Sequence, residues 1–195
     1  MQHMTALGRF LLATACGLVL AGAVHIFVVL ASPRFAENDA LARVQDTLTA
    51  EQAQIISPPG GAQTWLPLPD PAFAIAACAF DLSDGPARFA ARTGRRFLSF
   101  SFHTKTSGVF FAVTDRAALR GELELVVMTQ RQLDEARAAE DEANPSQDVR
   151  IVAPEEEGFA IVRVAAATPS QRQDALDAAK AVSCTVDNDE DESAN

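Results

Sequence analysis

Three polar residues at alternate positions, Ser99, Ser101 and His103, are where nucleophilic chemistry would first be sought in this chain. A serine hydroxyl is a weak nucleophile until a base takes its proton, and that requires a contact of about 3 Å. Alternate residues of one strand stand about 6.5–7 Å apart along the backbone, so serine and imidazole meet only if their side chains lean together. No Gly-x-Ser-x-Gly elbow, phosphate-binding glycine loop or histidine-rich metal spacing accompanies them. Two readings follow. One is a polar sheet face carrying an exposed imidazole. The other is a small-ligand binder or hydrolase built on that face.

Other charged clusters invite the same question. Glu155, Glu156 and Glu157 precede Gly158 and read as a solvated hairpin loop, with metal capture as the alternative. Arg92, Arg95 and Arg96 read as a hairpin tip that could also grip an anion. Asp81 and Asp84 fall in Asp81-Leu-Ser-Asp-Gly-Pro86, where Asp bonds its own backbone, Gly tolerates positive φ and Pro suits a strand start. That stretch reads as a chain reversal between two strands rather than as an acid–base pair. No cofactor is expected. A net charge of −10 opposes nucleic acid as a partner. Part of that charge lies in the acidic stretch Asp187–Asn195, read as a disordered tail.

The elements that would position Ser99, Ser101 and His103 begin with their own strand. Phe97–His103 alternates, with Leu98, Phe100 and Phe102 on the opposite face, the pattern of a half-buried strand. Phe73–Phe80, Ala87–Ala91, Val109–Thr114, Leu123–Met128, Val149–Ala153 and Phe159–Ala165 read as further strands. Short gaps suit antiparallel neighbours, and Pro154–Gly158 is read as joining the final pair. Thr129-x-x-Gln132 resembles a capping box that opens a helix to about Glu142, stopped by Asn144-Pro145. Thr168-Pro-Ser-Gln171 opens a last helix to about Val182. An α+β class follows: a β-rich antiparallel sheet or sandwich over residues 71–186, with two or three helices. Nine of the chain's twelve phenylalanines fall in it, and with no tyrosine its aromatic mass is purely apolar.

Ahead of this domain, Phe10–Ser32 contains no Asp, Glu, Lys or Arg. As a helix it spans about 34 Å, enough for a hydrocarbon core of about 30 Å. It exceeds the usual apolar stretch of a cleaved signal, so a retained transmembrane helix is expected, with residues 1–9 as a cytoplasmic head. Arg9 on one side and Arg34 and Arg43 on the other leave orientation undecided by charge. Ala13, Gly17, Ala21 and His25 recur every four residues, a small-residue stripe that suits close approach of a second helix. Pro33 ends the span, Glu37–Gln54 reads as a juxtamembrane helix, and Ser57–Pro71 as a Pro/Gly-rich linker holding Trp65 and Leu66. Of three cysteines, Cys16 lies in the span, leaving Cys78 and Cys184 as an even pair. A disulfide between them fits a domain outside the cytoplasm, and two free buried thiols would fit one inside.

The segment from Asp70 to Val127, with Glu155–Val164 and the span's end at Pro33-Arg-Phe-Ala-Glu-Asn-Asp-Ala40, resembles the short membrane-anchored members of the family catalogued as domain of unknown function 1254. The carriers are Asp81-Leu82-Ser83-Asp84-Gly85-Pro86, the alternating strand, and Asp115-Arg116. The resemblance implies a bacterial membrane protein akin to longer proteins in which a β-rich domain accompanies a second domain numbered 1214. Aromatic and tyrosine positions of those longer forms are largely Phe or Ala here. The expected function is a bitopic inner-membrane protein with its N-terminus inside and its main domain in the periplasm. It would act as a non-enzymatic interaction module touching membrane lipid and a protein partner. That partner would be a 1214-type protein or a second copy of this chain.

Overall fold

The computed structural model describes residues 5–32, 40–45, 52–61, 64, 66, 68–140, 146 and 148–186. Pro33, Asn38, Asp39, Trp65, Asn144, Pro145 and the acidic tail lie outside them. Two compact units divide the chain, Met1–Asp39 and Ala40–Asn195.

The first unit is one helix, α1 (Ala6–Ala31, 26 residues), opened by Thr5, whose hydroxyl accepts the Gly8 N–H. Leu, Val, Ile and Phe surround it on all sides and none of its residues is buried. Its mean hydropathy of 2.2 and its length suffice to cross a membrane. Signal sequences near an N-terminus share both properties.

The second unit is a two-sheet α+β sandwich. Its elements run α2 (Ala40–Gln45), β1 (Gln54–Ser57), β2 (Phe73–Asp81), β3 (Ala87–Arg92), β4 (Leu98–Thr104), β5 (Gly108–Thr114), β6 (Glu122–Met128), α3 (Gln130–Ala139), β7 (Val149–Val152), β8 (Glu157–Ala165), α4 (Arg172–Lys180) and β9 (Ser183–Val186). One sheet has the order β1-β2-β8-β4-β5, the other β7-β6-β3-β9. All seven strands expected from alternation are present. The short strands β1 (Gln54–Ser57) and β9 (Ser183–Val186) are additions: β1 falls where a helix and linker were expected, and β9 follows the last expected helix.

Pairing differs from the expected run of hairpins. Asp81–Pro86 does reverse the chain, and Asp81 Oδ1 accepts the Ser83 N–H at 2.9 Å. However, it carries the chain from β2 in one sheet to β3 in the other. Pro154–Gly158 likewise joins β7 to β8 across the sandwich rather than within a pair. Residues 92–96 cross between sheets too, so they are no hairpin tip. β7 lies parallel to β6, so the second sheet is mixed rather than antiparallel. Among the described residues, only β4 and β5 form a hairpin of sequence neighbours with a tight turn. The expected helix to Gln54 is short: α2 ends at Gln45, and Gln54 already belongs to β1.

A single core fills the space between the sheets. The inner face of the first supplies Cys78, Phe80, Phe100, Phe102, Val162 and Val164, and the second supplies Phe89, Leu123, Leu125 and Val127. Phe102 is its hub, with ring centroids 5.2 Å from Phe89, 6.1 Å from Phe100 and 6.2 Å from Phe110. A bulge in the β4–β5 pairing, between Phe102 and His103, lets adjacent Phe110 and Phe111 both pack on this core. Helix α4 adds Ala175 and Ala179, whose small side chains let it approach β2 and β8. The bridge Cys78–Cys184 links β2 to β9, one sheet to the other, over a separation of 106 residues and a Cα–Cα distance of 6.4 Å.

Helix α3 covers the far side of β6 through Leu133, against Val126 and Met128. Its capping box is complete, and Gln132 does more than cap. Its Oε1 accepts the Thr129 N–H at 2.8 Å while Nε2 donates to the Leu82 carbonyl at 2.9 Å. That bond ties the β2–β3 crossing to the start of α3. On the outer face of the first sheet, Val44 of α2 packs with Ile56, Ile75, Ala77, Phe159 and Ile161. The stretch expected as juxtamembrane helix and linker, residues 33–70, therefore contributes α2 and β1 to the folded unit, which begins at Ala40.

Candidate functional site

Strand β4 turns Leu98, Phe100 and Phe102 inward, and Ser99, Ser101 and His103 outward, as its alternation requires. β8 lies beside it with Arg163 opposite Ser99, Ile161 opposite Ser101 and Phe159 opposite His103. On the other flank β5 places Thr114 opposite Ser99 and Ala112 opposite Ser101.

The serine and the imidazole do lean together. Ser101 Oγ lies 3.0 Å from His103 Nε2, and Arg163 Nη1 donates to the same Oγ at 3.3 Å. A guanidinium can only donate, so the serine oxygen accepts from Arg163 and its hydroxyl proton is free to point at Nε2. With the ring proton on Nδ1, Nε2 accepts from the serine hydroxyl; with it on Nε2, the serine oxygen accepts from both the imidazole and Arg163. The imidazole is held flat against Phe159, with centroids 4.9 Å apart and planes 5° from parallel. Burial, then the positive charge of Arg163, pushes the His103 pKa below its ordinary 6.5. The ring is thus neutral at pH 7 and half-buried, not the exposed imidazole of the plainer expectation. Ser101 is buried, at 7% exposure, while Ser99 and Arg163 are half-buried.

Chemically, the arrangement holds a hydroxyl between a base and a fixed cation. Ser99 shares the face, opposite Arg163, but the contact is made by Ser101. Arg163 and Phe159 escaped the sequence reading. Their signal was present in Phe159-Ala-Ile-Val-Arg163, where a lone cation takes the outward parity of an otherwise apolar strand.

The other candidate clusters serve the fold. Glu155 Oε1 accepts from Thr104 Oγ1 at 3.0 Å and from the Thr106 N–H at 3.3 Å, clasping the β4–β5 turn. Desolvation raises its pKa, but these hydrogen bonds outweigh it and the net shift is downward. Among the described residues no group of three or more His, Cys, Asp or Glu could hold a metal. Arg92 pairs with Glu122 across β3 and β6 at 3.5 Å, and Arg96 with Asp174 of α4. The groove of about 580 Å³ between Ala90, Glu124, Ala178 and Ser183 contains the Arg92–Glu122 pair. In α1, Ala13, Gly17, Ala21 and His25 are exposed, and a Cβ at Gly17 would meet nothing within 4 Å.

No protein-family model and no curated protein matches the sequence. Among solved structures, the chain is similar to the crystal structure of the VPA0106 protein from Vibrio parahaemolyticus, with a TM-score of 0.51 and 11% sequence identity. The likeness covers 73% of this chain and 32% of that one, so the chain spans about a third of the length of the protein it matches. What the two share is the fold.

Proposed function

We propose that this chain is a bitopic protein of the bacterial cytoplasmic membrane, with its N-terminus inside and its sandwich in the periplasm. It works there as a non-enzymatic interaction module of a membrane-associated complex. The observation that carries this reading is α1: 26 residues, apolar on every side, with no residue buried. Such a surface needs another apolar medium, and a bilayer supplies it. The bridge between Cys78 and Cys184 adds weight, because disulfides persist in oxidising compartments.

Kinship with the domain of unknown function 1254 family belongs to the same proposal. It names a 1214-type protein as the first partner to seek, with a second copy of this chain as the alternative. Ala13, Gly17, Ala21 and His25 form the helix surface through which α1 would make contact. Washing membranes at alkaline pH should leave the protein in the pellet, and external protease should reach the sandwich only once the outer envelope is opened. Gly17→Leu should deplete whatever co-purifies with the native protein. Release by the wash, or a digestion pattern with the sandwich shielded on the cytoplasmic side, would refute the anchor.

A second reading is favoured by one specific contact. The 3.0 Å approach of Ser101 Oγ to His103 Nε2 is the geometry of a small-ligand or hydrolase site on the outer face of β4. Loss of a measured ligand or activity in His103→Ala, with complex formation intact, would establish it over the first.

A further inference from the structure

Arg163 stands where the pattern of β8 asks for an apolar residue. Phe159 and Ile161 on the same face are buried under α2 and its neighbours, whereas Arg163 is half-buried between Ile75 of β2 and Ser99 of β4. Taking a guanidinium partly out of water is unfavourable unless its donors are met. Among the described residues no carboxylate pairs with it, although Arg88, Arg92, Arg96, Arg131 and Arg150 all have acidic partners. The carboxylates that β2 and β8 carry on this face, Asp81 and Glu157, sit opposite each other at the far end of the two strands, about 20 Å away at strand spacing.

Among the described residues, its side-chain hydrogen bond is the one to Ser101 Oγ. Of the five N–H donors in its planar fork, one is taken by Ser101 and the others are left to solvent or a ligand. Around them stand hydroxyls: Ser99 directly across, Thr114 beyond it, and Ser101 already engaged. On the β5 side the residue opposite Ser101 is the exposed Ala112. In a chain of net charge −10, a half-buried cation with no carboxylate partner among the described residues, and with hydroxyl residues on the neighbouring strands, is a local reversal of sign.

We propose that Arg163, with Ser99, Ser101 and His103 beside it, binds an oxyanion, a carboxylate or a phosphate, on the outer face of the five-stranded sheet. The guanidinium fork matches either group with two parallel hydrogen bonds, and the serine hydroxyls donate to the remaining oxygens. The imidazole borders the site and reports its occupancy. This deepens the second reading of the face by naming its ligand class, and it stands whether or not α1 is a retained anchor or Ser101 is a nucleophile.

The test uses the full chain in neutral detergent with ring-labelled histidine, the His103 resonance being assigned through His103→Gln. Inorganic phosphate and, separately, acetate are titrated at constant ionic strength. A saturable shift of the His103 ring signal is expected with at least one of them. Arg163→Gln should weaken it about tenfold or more, and Arg163→Lys, which keeps the charge but loses the fork, should fall between. Bilayer discs locate the source. A shift in phosphatidylglycerol discs without added anion assigns the group to a lipid headgroup, and one that appears only when phosphate is added assigns it to a soluble ligand. Absence of a saturable shift under all these conditions would overturn the proposal. So would one that is equally strong in Arg163→Gln with its melting curve intact. Neither result depends on any hydrolytic activity, so the ligand class can fail while the nucleophile survives.

Discussion

The two faces of β4 are made from alternate residues of one seven-residue strand, and they have opposite characters. Leu98, Phe100 and Phe102 are at most 2% exposed and sit among other rings. Ser99, Ser101 and His103 face an arginine and a sheet flank that opens toward β5. On the inner face free energy comes from removing apolar area from water, at about 25 cal/mol per Å². On the outer face the hydrogen bonds each contribute only about 1 kcal/mol, and the groups are kept at partial expense to stability. Stability and candidate chemistry are thus separated by the thickness of one sheet.

Mutations should expose that asymmetry. Phe102→Ala should cost about 3–5 kcal/mol in denaturant unfolding, since it empties the hub of the aromatic cluster. Replacing Cys78 and Cys184 together by alanine should remove about 2–5 kcal/mol, read as a lower melting temperature that a reductant no longer affects. Gly158→Ala should come next, at about 1–3 kcal/mol. A Cβ there would lie 2.5 Å from the His103 carbonyl oxygen, and backbone cannot swing aside. Ser101→Ala, one residue from Phe102 but facing outward, should change stability by about 1 kcal/mol or less. If Ser101→Ala proved as damaging as Phe102→Ala, the division between the faces would be wrong.

The smallest effect is a pH dependence. The folded-state pKa of His103 lies below the ordinary 6.5, so in the acidic range just beneath that value the unfolded chain binds more protons. Its contribution to stability is therefore present above 6.5 and is lost as pH falls through the depressed value. Arg163→Gln removes one of the two causes and should move the His103 pKa upward, measurable from its ring resonances. An unchanged value would mean that the charge of Arg163 does not reach the imidazole.

Much of the fold was legible because alternation is local. Phe97–His103 announced its own two faces, and Thr129-x-x-Gln132 its capping box, through residues no more than a few positions apart. The site was legible only in part. Ser101 and His103 could be named, but their contact depends on rotamers held by Phe159 and Arg163, about sixty positions downstream. The Asp81–Pro86 turn was also readable as a turn, while its destination in the other sheet was not. Glu155 looked like one of three solvated acids, and its role appears only where β7 and β8 bring it to the β4–β5 turn.

By itself the sequence determined the apolar helix, the positions and polarity of seven strands, and which cysteines were free to pair. These follow from periodicity and composition, which act between near neighbours. Tertiary structure alone decided which strands lie side by side, that β7 runs parallel to β6, and that Arg163 stands over Ser101. Strand pairing joins residues far apart in the chain, and its choice rests on how the two sheets together bury their inner faces.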